Sequence, residues 1–418
     1  MNVLLAARSK WLAVATLTAF WSFGLGEIAH AQTYGVELHN MLMPVSGGMG
    51  GASLALPQDV QSTLGGNPAT LAGFQGTQFS FGGGWIESTI NMTHDGGLLP
   101  NIGSFHAKSE AEGSALGNIA VSQDLRAVGL PVTVGFGLLG TSGLGVSYRD
   151  VPESNGTSLT LQVLSIAAGA GIQVSDRLQI GADLVLGTAT LDGPFTGLTS
   201  AVYDYALRGK VGLAYDVGCN TTLGLYYQTR QKFNFDDAVI FDFPLTTNIQ
   251  DINMDLPSNI GFGIANNSLV DGKLLLALDV VYKQWDNAAF WDAFYVNQWV
   301  IQAGAQYELN DKLRLRCGYI FAENPTRTPP GTSPGVVLPP AIAAGIDYIQ
   351  SQVTLYNRHR FTVGAGMCDV LPGIDMDLFA GFMPEASQDF GALTSTSIES
   401  YWIGAGLTWR FGADCGCY

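Results

Sequence analysis

A chain of 418 residues with a formal charge of −16 and only 13% charged residues is too acidic to bind nucleic acid through a general basic surface. Its 53 glycines are well above the usual share of about 7%, whereas a hydrophobic content of 47% is ordinary. The longest internal apolar stretch, Val336 to Ile346, is short and broken by Pro339 and Pro340, which excludes membrane-crossing helices in the body of the chain.

The N-terminus reads as a secretory signal peptide over residues 1–31. Arg8 and Lys10 form a basic region, Trp11 to Leu25 is apolar, and Ala29-His30-Ala31 supplies a cleavage site. A membrane anchor is the weaker alternative, because the apolar run is short against the ~20 residues a span needs. The mature chain then starts at Gln32, and losing Arg8, Lys10 and Glu27 takes the formal charge to one unit below that of the full chain.

Residues 32–76 do not alternate. They are small, Gly-rich and weakly helical, and are too long for a simple leader, so they are expected to fill a lumen as a plug. From residue 77 the period changes to two. Leu207, Val211, Leu213 and Tyr215 fall on one face, and Ala206, Arg208, Lys210, Gly212 and Ala214 on the other. The next segment repeats the pattern, with Leu223, Leu225 and Tyr227 opposite Thr222, Gly224, Tyr226, Gln228, Arg230 and Lys232.

Strands are predicted over 77–92, 104–122, 131–149, 158–174, 178–192, 203–217, 221–236, 253–267, 272–286, 297–309, 312–323, 358–370, 373–384 and 399–411. Short turns alternate with longer connections at 193–202, 237–252, 287–296, 324–357 and 385–398, as in barrels with short periplasmic turns and long external loops. A soluble sandwich also alternates. The signal peptide, long strands, abundant small residues and aromatic strand ends favour a barrel. The expected fold is therefore all-β: a membrane-spanning antiparallel β-barrel of about 14 strands over 77–411, with a plug over 32–76 and a tail over 412–418. Loop 324–357 holds an apolar stretch suited to a short helix or to an irregular external loop.

Chemistry-bearing motifs are few. Among the five cysteines, Cys317 and Cys368 fall inside predicted strands as small apolar residues, and the odd count argues against a complete disulfide framework. Cys415 and Cys417 make a close pair in the tail. No G-x-S-x-G elbow occurs. Asp251-Ile252-Asn253-Met254-Asp255 begins like a calcium loop, but Leu256 and Phe262 stand where Gly and Glu are required. No cofactor, metal site or catalytic residue is assigned. The lumen face instead offers cations: Arg208, Lys210, Arg230, Lys232, Arg314, Arg316, Arg358 and Arg360. Of these, Arg208, Lys210, Arg230, Arg314 and Arg316 are the candidate anchors for a substrate carboxylate, since a lone buried charge is costly. The competing role is pairing with lumen acids such as Asp183.

The order of motifs resembles the outer-membrane long-chain fatty-acid and hydrocarbon transporter family, the FadL type. The likeness rests on Gly48, Gly50, Gly51 and Ala52, then Asp59, then Asn67-Pro68-Ala69 before the first strand. It continues through Leu256-Pro257, Tyr282-Lys283-Gln284-Trp285, Arg316-Cys317-Gly318-Tyr319, Asn324-Pro325 and Ile403-Gly404-Ala405-Gly406 ahead of Phe411. It spans essentially the whole mature chain. The resemblance implies a monomeric 14-stranded barrel in the outer membrane of a Gram-negative-type bacterium, in contact with outer-membrane lipid. Gly48, Gly50, Gly51, Asp59, Asn67, Pro68 and Ala69 then belong to a hatch inside the barrel. It implies passive transport of a hydrophobic small molecule, long-chain fatty acids first and aromatic hydrocarbons as the alternative, with capture at external loops and sideways exit through the wall. Two departures stand out: residues Gly412 to Tyr418 follow the last strand, and loop 324–357 is long. A general porin, a barrel enzyme and a surface adhesin are the competing classes. The plug speaks against the porin, and no nucleophile–base pair supports an enzyme.

Overall fold

The structure is a computed structural model that describes residues 36–195, 201–240, 249–330, 338–353, 355–356 and 358–411. The expected signal peptide and the tail with Cys415 and Cys417 lie outside the described residues. The strands are β1 (Thr77–His94), β2 (Phe105–Lys108), β3 (Ser114–Asp124), β4 (Val132–Ser147), β5 (Ser158–Ser175), β6 (Leu178–Phe195), β7 (Val202–Asp216), β8 (Thr221–Gln228), β9 (Asn234–Ile240), β10 (Ile249–Asn253), β11 (Ser258–Leu269), β12 (Leu274–Gln284), β13 (Gln298–Asn310), β14 (Leu313–Ala322), β15 (His359–Leu371), β16 (Ile374–Phe390) and β17 (Thr394–Phe411).

Fourteen wall strands close into an antiparallel barrel. β1 pairs with β17 along its whole length, from Thr77 opposite Phe411 to His94 opposite Thr394. β2 and β3 both lie on the other edge of β1 and form one interrupted wall strand. Among the described residues the sheet closes on itself, as a lipid environment demands, except that β3 leaves the facing edge of β4 unpaired beyond Leu138.

Burial shows which face of each strand points outward. Leu207, Val211, Leu213, Leu225 and Tyr227 are exposed, whereas Ala206, Arg208, Lys210, Ala214, Tyr226 and Gln228 are buried. The apolar face is the outer one, the reverse of a soluble sandwich and the sense expected of a membrane barrel. No helix among the described residues is long and apolar enough to cross a membrane.

Several expectations are corrected. The second predicted strand is split into β2 and β3. The predicted strand 221–236 stays in the wall only to Gln228; beyond it the chain turns over the mouth, and β9 pairs with β10 as a separate two-stranded sheet. The buried positions become Gln231, Phe233 and Phe235, leaving Lys232 exposed rather than luminal. Arg358 is likewise exposed, ahead of β15. Residues 385–398 are mostly strand, because β16 and β17 run on as a long hairpin. Finally, Cys368 is disulfide-bonded rather than a plain apolar side chain, while Cys219 and Cys317 are free.

Candidate transport passage

The segment from Val36 to Phe74 lies inside the barrel, and nearly all of it is buried. Asp59 caps the helix Val60–Gly65 by accepting from Ser62 N at 2.6 Å, and also accepts from Val45 N at 3.2 Å. Burial raises its carboxyl above the usual range, against these hydrogen bonds, which favour the charged form. Asn67 caps the 3-10 helix Pro68–Gly73 by accepting from Ala69 N at 3.1 Å. Its amide donates to Leu54 O at 2.9 Å and to Leu213 O of the wall at 3.0 Å. Pro68 sits at the first turn, where its missing N–H costs nothing.

The wall is bare where this helix packs. Gly171, Gly181 and Gly212 are direct cross-strand neighbours on β5, β6 and β7. A Cβ at Gly181 would meet Ala69 N and Pro68 at 2.5 Å, and one at Gly171 would meet Ala72 N at 2.5 Å. Gly48 faces Gly364 in the same way, with 2.9 Å to its Cα. Gly50 and Gly51 turn the chain at φ of +67° and +83°, a region that favours glycine. Asp279 of β12 completes the docking by accepting from Ser53 N at 2.6 Å and Leu54 N at 2.9 Å.

All five candidate anchors carry a carboxylate partner from the chain itself. Arg208 pairs with Glu37 at 3.1 Å, Lys210 with Asp183 at 3.3 Å, Arg230 with Asp255 at 3.4 Å, Arg314 with Glu308 at 3.1 Å and Arg316 with Asp377 at 2.5 Å. Lys210 also donates to Leu64 O at the end of the plug helix. Arg208, Lys210 and Gln228 meet beside one cavity, while Arg314 and Arg316 border a separate one near the short turns. Arg230 is near the mouth and about one-third exposed.

Glu37 and Asn259 are the residues sequence reading missed. The Glu37 carboxylate accepts from Arg208, from Asn259 Nδ2 at 2.7 Å and from Gln228 Nε2 at 3.4 Å. Its backbone carbonyl accepts from Lys283 Nζ at 3.2 Å. Burial opposes its charge, but Arg208, His39, Lys283 and the Asn259 bond outweigh that and hold the carboxyl below its usual value. The available signal was a single acid in an apolar stretch, Val36 to Val45.

The cavity beside Glu37 has an apolar side formed by Leu42, Met43, Leu64, Leu139, Ala167 and Val185. Its volume is about 40 Å³, whereas a cavity that takes up benzene measures roughly 150 Å³. A ligand of that size therefore enters only if the plug or the wall moves.

The wall has a weak seam beside this cavity. β3 pairs with β4 only from Ile119 opposite Leu138 to Asp124 opposite Thr133. Above that, β4 bulges between Gly140 and Ser142, and its edge is met by the plug instead. Leu38 N donates to Thr141 O and Gly143 N donates to Val36 O, both at 3.1 Å. Asn118 bridges the lower end, accepting from Gly140 N at 2.9 Å and donating to Leu42 O at 3.2 Å. At the upper end Glu110 N donates to Ser147 O at 2.8 Å.

At the mouth opposite the short turns, described loop residues pack together. Trp285, Trp291 and Tyr295 form one aromatic cluster, with Trp291 stacked on Tyr295 at 5.4 Å. The apolar part of loop 324–357 forms the helix Pro340–Gln350, whose Tyr348 lies against His94 at 4.9 Å and within 2.8 Å of the Thr157 hydroxyl.

The family profile described as Outer membrane protein transport protein (OMPP1/FadL/TodX) matches residues 31–332, well over half of the chain. A search of curated proteins finds no match. Among solved structures, the toluene transporter TodX of P. putida is 18% identical over 90% of this chain and 100% of its own, with a TM-score of 0.66. A Pseudomonas aeruginosa FadL homologue is 12% identical over the same shares, also at 0.66. The Ralstonia pickettii toluene transporter TbuX is 18% identical over 90% of this chain and 99% of its own, at 0.57. These identities speak to the fold, and the profile match to the family. The closed barrel, its inner N-terminal segment and the profile together make this chain a member of the OMPP1/FadL/TodX family, outer-membrane channel-type transporters of hydrophobic compounds.

Proposed function

We propose that the protein moves uncharged hydrophobic compounds passively across the outer membrane, with the segment 36–76 as its plug. The observation that carries this reading is the pairing of Arg208, Lys210, Arg230, Arg314 and Arg316 with carboxylates of the same chain. The family resemblance ranks long-chain fatty acids first, and these cations are the anchors their carboxylate would need. A fatty-acid carboxylate arriving here must displace an internal partner or remain an uncompensated buried charge, which costs several kcal/mol. A neutral compound meets neither cost and gains about 0.8 kcal/mol for each CH₂ it buries. The relatives TodX and TbuX, described as toluene transporters, agree with a neutral substrate.

On this reading the compound is captured among the aromatic loops at the outer mouth and passes the apolar side of the cavity. It leaves sideways through the seam between β3 and β4. The signal peptide delivers the chain to the periplasm, and the barrel works as a monomer whose outer apolar belt contacts lipid. A general porin is disfavoured, because Val36 to Phe74 occupies the lumen.

The test uses lipopolysaccharide-coated liposomes with cyclodextrin trapped inside. Protein-dependent uptake of 1-dodecanol without arabinose entry supports the reading. Rapid arabinose entry makes the protein a porin, and uptake of laurate in place of 1-dodecanol restores the fatty-acid reading.

A further inference from the structure

We infer that Glu37 is the specificity-determining residue of the passage: it is a tethered carboxylate that fills a carboxylate receptor built by the wall and thereby rejects acidic substrates. This inference rests on the transport reading and names its selectivity filter.

The receptor belongs to the barrel and its occupant to the plug. Arg208 comes from β7, Gln228 from β8 and Asn259 from β11, and all three side chains donate to the Glu37 carboxylate. Arg208 is itself held in place, since its second guanidinium nitrogen donates to Pro257 O at 3.1 Å. Lys283 of β12 adds a further positive charge through the Glu37 carbonyl. Arg208 and Gln228 donate to one carboxylate oxygen and Asn259 to the other, Lys283 reaches the main-chain carbonyl, and all four side chains are buried. Three donors on the two oxygens, one of them a guanidinium, suit a carboxylate of any origin.

Position turns this receptor into a filter. The same cavity is lined by Glu37, Arg208 and Gln228 on one side and by Leu64, Leu139 and Val185 on the other. An acid with an apolar tail entering it would seek the donors that Glu37 already holds. Glu37 competes with the advantage of a tether, which gives an effective concentration on the order of millimolar. A free acid at micromolar concentration loses that competition. An alcohol of the same chain length does not enter it.

The chain-matched pair laurate and 1-dodecanol isolates the charge. Equilibrium binding of each labelled compound is measured on the full-length protein in a non-ionic detergent, for wild type, Glu37→Gln and Glu37→Gln/Arg208→Gln. The wild type is expected to favour 1-dodecanol by about ten-fold or more, the scale of one charged hydrogen-bonding interaction. Glu37→Gln keeps the shape, frees the Arg208 charge and should shift the ratio toward laurate by about ten-fold. The double variant should lose that shift. A ratio unmoved by Glu37→Gln overturns the inference. So does a wild type that prefers laurate, a result that stands even where a variant fails to fold. Binding and flux are separate readouts: a wild type that binds 1-dodecanol yet transports nothing defeats the transport reading instead.

Discussion

Asn67 and Gly212 touch so closely that a Cβ at Gly212 would sit 1.9 Å from the Asn67 Oδ1. The contact joins the plug to the wall at the end of a glycine row, and it makes the two positions interdependent. Gly212→Ala is expected to push the plug helix off β7, at a cost of roughly 1–3 kcal/mol for overpacking. Asn67→Ala alone should cost about 1 kcal/mol through the lost cap, and more through its bonds to Leu54 and Leu213. Combined, the two changes should cost less than their sum, because removing the Asn side chain makes room for the new methyl group. Thermal unfolding midpoints of the four proteins give the coupling, and arabinose entry into liposomes shows whether the plug has moved. Strict additivity would mean that the contact carries no coupling.

The luminal ion pairs should differ in worth by burial. Arg316 and Asp377 are almost fully buried, whereas Glu308 beside Arg314 is 40% exposed. Breaking the first by Asp377→Ala leaves an uncompensated buried guanidinium and should cost about 3–5 kcal/mol. Glu308→Ala should cost about 0–1 kcal/mol, since water screens it. Heat-modifiable gel migration ranks the two, and equal shifts would contradict the burial argument.

The barrel was legible because its outer face has one requirement, apolarity, which repeats every second residue. Leu207 and Arg208 announce their opposite faces without any knowledge of what lies across the lumen. The same rule misplaced Lys232, since polar alternation continues past Gln228 while the chain leaves the wall. It misplaced Arg358 too, one residue before β15 starts. Partners were beyond its reach. Arg208 and Glu37 stand 171 positions apart, and no periodicity links a plug residue to a wall strand. The glycine row was visible only as luminal parity. That Gly171, Gly181 and Gly212 fall side by side depends on register, which hairpin turns set and composition does not reveal.

His39 should make plug docking sensitive to acid. Its imidazole is pushed down to about 3, first by burial, then by the positive charges of Lys283, Arg208 and Arg360, with Glu37 opposing them. The folded ring is thus neutral at a pH where the released ring, with its ordinary value of 6.5, takes up a proton. Between those values the undocked state binds more protons, so docking is at full strength above about pH 6.5 and weakens as pH falls toward 3. Hydrogen exchange of residues 36–43, corrected for the intrinsic pH dependence of exchange, should quicken from pH 7 to pH 4. His39→Gln should flatten this response, and an unchanged response in that variant would assign the acid sensitivity to another group.

Leu38 offers a direct test of the seam. Its N–H supplies one of the two backbone hydrogen bonds that hold the plug to the free edge of β4, and Gly143 donates the other. Leu38→Pro removes that donor and should weaken the seal by about 0.5–1.5 kcal/mol, the net worth of one such bond. If the seam is the way out, a weaker seal raises the open population, so 1-dodecanol uptake should rise several-fold while arabinose stays excluded by the rest of the plug. If both compounds enter faster, the substitution has dislodged the plug as a whole. Uptake that stays at the wild-type rate, with faster hydrogen exchange at residues 36–43 proving the seal broken, would place the exit elsewhere in the wall.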